Sequence, residues 1–511
     1  MANKRRSVPE AAGVFVERFL GPRVLRPLGR LKTRSAHRHV GVAAREPGQQ
    51  PDWSVNEPRW SPYGTPPRLH NRLMPLIDGE TFLERLYAEI ASAGEYVYIA
   101  GWCLTPHLPL LRASTSHIID SRLVTVLGQA SGRVPVRVLL WGGAPFVIHP
   151  TSDYVEQVAK TLTNEAGGDL ICPLDDTATW SHTHHQKAIV VDGQWASVGG
   201  IDLTTYSGDR WDQRGHRLRA GVNWHDAAMS IEGELVADVE SNFRQRWLAV
   251  TGDGSLPSVQ PRVDATWSTP AQVLRTIPAG DYDFAQDGEY DFHHSYLELL
   301  QRSRRFVYLE SQYLWSPEVM DALLDLVKQP PSPSFRIVIV LPARATSGKW
   351  DNDKHVEALR EVDGGRNIVE VYSLYTSGPT SGERPFRYRP VYVHAKLAIV
   401  DDEWLIVGSA NLNDRSLHSD SEIGVLAHDA DLARKLRLDL WSEHLNRRPQ
   451  DLEARDVTDV VDSEWRGRAT KNGEIITEGV QPLECGVHFY QSGAPPGAWI
   501  LEESESLTFE H

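Results

Sequence analysis

The chain repeats itself at a fixed offset. Gly79 and Gly288, His185 and His394, Lys187 and Lys396, Asp192 and Asp401, and Gly199 and Gly408 are each 209 residues apart. Chance can align one such pair, but not a helix start and a whole motif together. An internal duplication constrains the fold strongly, because both copies must carry one hydrophobic pattern. In the first copy a helical run, ETFLERLYAEIASAG, places Phe82, Leu83, Leu86 and Ile90 at helical spacing. Strand-like runs follow: YVYIAGW (96–102), PVRVLLW (135–141), and a hairpin made of KAIVVDG and ASVGG within 187–200. The second copy repeats the order with SYLELLQRSRR, FVYLESQY (306–313), FRIVIVL (335–341), then KLAIVDD and WLIVGSA within 396–410. Helices alternating with apolar strands predict an α/β protein of two pseudo-symmetric α/β/α lobes. Each lobe is a mixed sheet flanked by helices, with the active site at the lobe interface.

The rest of the chain is organised around that repeat. Residues 1–70 read as a basic, largely irregular arm, 71–250 as the first half and 251–287 as a Gly/Pro-rich linker. Residues 288–450 read as the second half and 451–511 as a C-terminal extension that packs on it. Residues 1–45 hold eleven Lys or Arg against two acids, so they carry +9 of a total of -15, and the remainder is -24. So acidic a body argues against a general nucleic-acid binder. The arm reads as a solvated tail, with contact to anionic lipid as the functional alternative. No apolar run of 18 residues and no clean secretory signal is present, which predicts a cytoplasmic protein or one peripheral to the inner membrane face. Three cysteines, Cys103, Cys172 and Cys485, exclude a disulfide framework.

The chemistry lies in two matching strings. His185-Gln186-Lys187 leads to Asp192, and Gly199-Gly200-Ile201-Asp202 comes six residues later. His394-Ala395-Lys396 leads to Asp401, with Gly408-Ser409-Ala410-Asn411 at the same spacing. On a strand, residues i and i+2 share a face, so each His and Lys reach one pocket. Two imidazoles and two ammonium groups repel one another unless an anion holds them, and a phosphodiester suits that place. One imidazole can attack phosphorus while the other protonates the leaving alcohol. His185, Lys187, Asp192, His394, Lys396 and Asp401 are therefore the candidate catalytic set. Asp192 and Asp401 suit strand ends and backbone bonds better than proton transfer. Asp212, 27 residues after His185, and Glu422, 28 after His394, are the candidate carboxylates that orient the histidines. Gly200, Ser409 and Asn411 are candidates for contact with substrate phosphate. His182 and His184 lie beside His185, yet no metal-ligand motif accompanies them, so neither metal nor cofactor is expected. Trp102, Trp141, Trp315 and Trp350 read as core or rim packing, with an acyl groove as the alternative.

This pattern resembles the phospholipase D superfamily, whose signature is a duplicated HKD motif. The likeness covers roughly residues 70–450. Finer strings resemble the phosphatidylcholine-type branch: Gly199-Gly200-Ile201-Asp202-Leu203 with Arg210-Trp211-Asp212, then Trp224-His225-Asp226 and Phe243-Arg244-Gln245-Arg246-Trp247. In the second copy they are Gly408-Ser409-Ala410-Asn411-Leu412-Asn413-Asp414-Arg415-Ser416 with Asp420-Ser421-Glu422. The resemblance implies a metal-independent ping-pong reaction through a phosphohistidine. His185 would be the nucleophile and His394 the general acid, then base, although symmetry alone leaves the roles exchangeable.

The implied activity is hydrolysis or transphosphatidylation of membrane glycerophospholipids, giving phosphatidic acid and the head-group alcohol. The alternatives are another HKD phosphodiesterase or phosphatidyltransferase, of cardiolipin-synthase, phosphatidylserine-synthase or nuclease type, and a non-catalytic lipid scaffold. The expected partner is a phospholipid surface and not nucleic acid. The expected state is a monomer that is an internal pseudo-dimer.

Overall fold

The structure is a computed structural model. It describes residues 59–112, 119–144, 150–178, 182–345, 348–381 and 385–493. The basic arm, through residue 58, lies outside the described residues, as do residues 494–511.

Two mixed sheets carry the fold. The first is built from β1 (Asn71–Ile77), β2 (Val97–Gly101), β3 (Val136–Trp141), β4 (Leu170–Ile171), β5 (Leu174–Asp175), β6 (Ala188–Val191), β7 (Trp195–Gly199) and β9 (Ala227–Gly233). Its order is β1-β9-β7-β6-β2-β3-β4, with β5 also on β3. The second contains β10 (Ala271–Ile277), β11 (Glu289–Tyr290), β12 (Phe306–Glu310), β13 (Arg336–Val340), β14 (Val369–Pro379), β15 (Phe386–Val393), β16 (Leu397–Val400), β17 (Trp404–Gly408) and β18 (Glu422–His428). Its central order, β10-β18-β17-β16-β12-β13-β14, reproduces the first strand for strand. The pairing senses agree too: β2 with β3 and β12 with β13 are parallel, whereas the motif hairpins β6–β7 and β16–β17 are antiparallel. The fold class is thus α/β with two pseudo-symmetric halves.

Helices cover the outer faces. On the first half lie α1 (Asp78–Ser92), α2 (Leu123–Ser131) and α3 (Ser152–Ala166). The buried face of α1 holds Phe82, Leu83, Leu86 and Ile90, the stripe its spacing predicts. After α4 (Leu235–Thr251), the second half uses α5 (Asp291–Gln301), α6 (Pro317–Lys328) and α7 (Lys349–Asp363) in the same outer position. Ser316 caps α6, accepting from Val319 N, with Pro317 in its first turn. Between the sheets runs one continuous core that takes Val198 and Met229 from the first, Val407 and Val425 from the second, and Trp247 and Trp441 from α4 and α8 (Ala430–His444). The halves share this interior, so they fold against each other rather than as beads.

Three features depart from the linear reading. Within the linker 251–287, residues 271–277 form β10, antiparallel to β18, as β1 is to β9. All seven residues of AQVLRTI are buried, so the strand shows no alternation to betray it. The short strand β8 (Asn223–His225) leaves the first half and pairs parallel with β15 of the second. In the C-terminal extension, β19 (Val487–Phe489) adds to β14, and Trp465 is fully buried in the shared core. Among the described residues no helix is long and apolar enough to cross a membrane.

Candidate active site

The crossing of β8 determines how the site is built. It brings His225 O to the backbone of the second motif, where His394 N donates to it at 2.8 Å. The other half does the same: His185 N donates to Ser421 O at 2.8 Å. In each case the next residue along the chain is an acid, Asp226 or Glu422. Asp226 Oδ2 lies 2.6 Å from His394 Nδ1. Both oxygens of Glu422 lie 3.0 Å from His185 Nδ1. Each motif histidine is therefore held by a carboxylate of the opposite half, and its Nε2 is turned away from that carboxylate.

This corrects the expectation for Asp212. Its carboxylate accepts from Trp224 N at 2.7 Å and Asn223 Nδ2 at 3.0 Å, and pairs with His216 Nδ1 at 3.3 Å. It fixes the start of β8 and reaches neither motif histidine. Asp226 takes the place that was expected for Asp212. The first half has a longer path between its motif and β9, so an equal-spacing search stops too early. The usable signal was an acid at the start of a buried strand, Asp226 just ahead of β9 and Glu422 as the first residue of β18.

Asp192 and Asp401 are engaged with backbone at the hairpin turns. Each sits at the turn of its motif hairpin with positive φ, 56° and 61°. Asp192 accepts from the N–H groups of Gly94, Glu95 and Tyr96 at 2.7–2.9 Å. Asp401 accepts from those of Arg304, Arg305 and Phe306 at 2.7–2.9 Å. They tie each motif hairpin to the start of β2 or β12. A carboxylate holding three amides fixes backbone, the role their sequence position suits better than proton transfer.

The lysines are not equivalent. Lys187 Nζ donates to His185 O and pairs with Asp202 Oδ2, both at 2.9 Å. Lys396 Nζ donates to His394 O, but the position matching Asp202 is the neutral Asn411. Burial lowers the Lys396 pKa to about 7; Asp226 opposes this and Lys187 adds to it. Burial, then Lys187 and Lys396, pushes His185 well below the usual imidazole range. His394 is also pushed well down, by burial, Lys396, Arg210 and Lys187. Burial raises Glu422 to about 8 against the pull of Lys187, and raises Asp226 against Lys396. An empty site of this kind favours neutral imidazoles and waits for an anion.

The expected phosphate contacts divide. Ser409 Oγ donates to Glu422 and accepts from Ile423 N at 2.9 Å, so its hydroxyl steadies the orienting acid. Gly200 N is occupied by Ala227 O at 2.9 Å. A Cβ on Gly200 would stand 2.1 Å from Asp226 Oδ1, so its bare backbone makes room for that carboxylate. Both groups are engaged within the protein among the described residues. Asn411 is buried, and its Oδ1 accepts no hydrogen bond among the described residues; a contact to phosphate would come from its Nδ2.

Arg210 and Tyr392 were missed as site components, and Trp102, read as core or rim packing or an acyl groove, flanks His185. Arg210 is buried, its guanidinium 4.1 Å from the centroid of Trp224, and its charge bears on His394. Trp102 meets His185 edge to face at 6.3 Å, with Lys187 Nζ 6.0 Å from its ring centroid. Tyr392 stacks on Trp224 at 4.7 Å and flanks His394. Of the tryptophans singled out, Trp102 and Trp141 stack near the site, whereas Trp350 is exposed.

His184 is structural, bonded to Thr177 Oγ1 at 2.9 Å and Ser421 Oγ at 3.0 Å. Metal-ligand chemistry gathers elsewhere. His225 is clasped between Asp78 at 2.9 Å and Glu310 at 2.8 Å, which holds its pKa well above the usual range despite burial. Donor atoms of Asp78, His216, His225 and Glu443 lie within 4.8 Å of one another, a set able to take a divalent cation.

Comparison with known proteins agrees with this geometry. The family model "Cardiolipin synthase, PLD-like domain" matches residues 296–443. Phospholipase D alpha 4 of Arabidopsis thaliana is 26% identical over 483 residues, covering 71% of this chain and 63% of that protein. Phospholipase D A of Dictyostelium discoideum is 24% identical over 469 residues, covering 75% of this chain and 36% of that protein. The chain thus spans under two thirds of the length of these relatives. The solved phosphatidylserine synthase of Haemophilus influenzae Rd KW20 matches at 14% identity and TM-score 0.48 over 80% of this chain and 97% of that one, too loosely to argue from. Several phospholipases D match along most of this chain, and the PLD-like family model falls on its second half; the chain is similar to the phospholipase D superfamily.

Proposed function

We propose that this chain is a phosphodiesterase that removes the head group of membrane glycerophospholipids by way of a phosphohistidine. The observation that carries the proposal is the crossed pair of carboxylate–histidine contacts, Glu422 to His185 and Asp226 to His394. A carboxylate on Nδ1 fixes the tautomer that leaves an Nε2 lone pair for phosphorus. His185, held neutral near pH 7, attacks the diester phosphorus; the P–N bond forms as the P–O bond to the head group breaks. His394 gives its proton to the leaving oxygen. It then takes a proton from water or an alcohol, whose oxygen displaces His185 and releases phosphatidic acid or a new phosphatidyl ester.

The electrostatics supply the timing. In the empty site burial, and then Lys396, Arg210 and Lys187, keep His394 neutral. An arriving phosphodiester offsets those charges, so His394 gains a proton when there is a leaving group to receive it. Lys187 and Lys396 then bear the charge that grows on the phosphoryl oxygens, and Asn411 offers a neutral contact. The membrane-lipid assignment is supported by the names of the relatives, which are phospholipases D.

The test is phosphatidylcholine vesicles with purified protein and a few per cent ethanol. Phosphatidylethanol and phosphatidic acid from the wild type, absent in His185→Ala and His394→Ala, support the reading. No product from any common glycerophospholipid overturns the lipid assignment, and a nucleic-acid or phosphatidylglycerol-condensation assay then identifies the diester.

A further inference from the structure

Outside the site described above, side chains from three elements converge. They are His293 on α5, Glu318 on the first turn of α6, and His418 in the single π-turn Arg415–Ser419 that follows the second motif. Each offers one donor atom, and the three donor atoms lie within 4.8 Å of one another. The His293 and His418 rings are 4.6 Å apart and inclined at 52°, so both can turn a nitrogen toward one point. Ser316 Oγ donates to Glu318 Oε2 at 3.2 Å, which aims the carboxylate. A second carboxylate stands beside this group. Asp414 Oδ1 is buried and accepts no hydrogen bond among the described residues. Its pKa is pushed up to about 7, by burial first and then by the charge of Glu318.

We propose that His293, Glu318 and His418 form a binding site for a divalent transition metal of the zinc class, with Asp414 or water completing the coordination. Two imidazole nitrogens and one carboxylate oxygen suit zinc, whereas calcium and magnesium prefer oxygen donors throughout. Ligand atoms at about 2.0–2.1 Å around a tetrahedral ion are roughly 3.3 Å apart, so ligation draws this cluster in by about an ångström or more. That movement is within reach of side-chain rotation. A positive ion also offsets the mutual repulsion of Glu318 and Asp414.

The ion would act as a staple. It joins α5 and α6 to the turn that carries Ser416 and Asp420 toward the first motif. Ser416 bonds the orienting acid Glu422, and Asp420 Oδ1 accepts from Thr183 N at 2.8 Å, two residues before His185. This site is separate from both motif histidines and from the cluster around His225.

The test is zinc stoichiometry on the full chain, after equilibration with Zn2+ and removal of loosely held metal. Wild type is compared with the double variant His293→Gln/His418→Gln and with Glu318→Gln. The double variant is expected to bind one zinc fewer per chain than wild type, and Glu318→Gln to bind that zinc about 10–100-fold more weakly. Co2+ in the wild type is expected to give tetrahedral d–d absorption that both variants lose. Glu318→Gln lies on a half-buried first turn, so it keeps the test decisive if the double variant fails to fold. Equal zinc content in wild type and variants, or no zinc bound by wild type, overturns the proposal.

Discussion

Asp226 and His394 meet at 2.6 Å although 168 residues separate them and they belong to different halves of the duplication. The contact exists because β8 leaves its own half and pairs with β15. Its counterpart, Glu422 with His185, spans 237 residues in the opposite sense. Neither half can orient its own histidine, so the site exists only when both are folded together.

Conservative changes at the two acids test this exchange. Asp226→Asn and Glu422→Gln keep shape but lose the negative charge, and their amide can turn an N–H toward Nδ1 and favour the wrong tautomer. Each is expected to lower kcat by about 10²–10⁴-fold, the scale of losing the orienting carboxylate in a catalytic triad. Asp212→Asn should lower Tm while leaving kcat within about tenfold of wild type, because it removes support from β8 and not from an imidazole. A steady-state comparison of the three variants beside their melting curves decides between the two acids of the first half.

The bare backbone at Gly200 gives a sharper probe. Alanine there would place its Cβ 2.1 Å from Asp226 Oδ1 and displace the carboxylate. Gly200→Ala is expected to lose about 10²-fold in kcat, the effect of an ångström of misplacement. Its thermal unfolding should stay cooperative. Full activity in the alanine variant would count against Asp226 as the orienting group.

The pH profile of kcat/KM follows from the shifts in the free enzyme. His185 must be neutral to attack, and its pKa lies well below 6.5, so His185 itself should set no limb near or above pH 6.5. Lys396 must be charged, and its pKa is lowered to about 7. Activity at low substrate should therefore fall as pH rises through about 7. Lys396→Arg should move that alkaline limb upward, since a guanidinium keeps its proton. An alkaline limb unmoved by the arginine would show that another group controls it.

Asp192 and Asp401 should behave as structural residues. Asn at either position keeps one acceptor of the carboxylate and loses the other. Each change is expected to destabilise by about 1–3 kcal/mol without moving the pH profile. Urea unfolding of both variants, set beside their kcat values, checks this.

The duplication made the repeated order of helix and strands legible, together with both motif hairpins and the histidine–lysine pairs. Those features are local, and their hydrophobic periods are intact in each copy. What was not legible depends on chain crossing. Asp226 follows His185 by 41 residues while Glu422 follows His394 by 28, so counting from the motif selected Asp212 instead. The strand β10 was hidden because burial on both faces erases alternation. Ser409 and Gly200 read as phosphate contacts because a Gly-Gly or Gly-Ser step suggests close approach. The approach is real at Gly200, but the group that approaches is Asp226.

The central claim is a covalent intermediate on His185 that His394 resolves. The most direct measurement uses a phosphatidyl-p-nitrophenol, whose leaving group needs no proton, with the His394→Ala variant. The account predicts a burst of about one nitrophenolate per enzyme, then a stall, with a phosphatidyl adduct on the peptide containing His185. Steady turnover without a burst, or an adduct on no histidine, would contradict it.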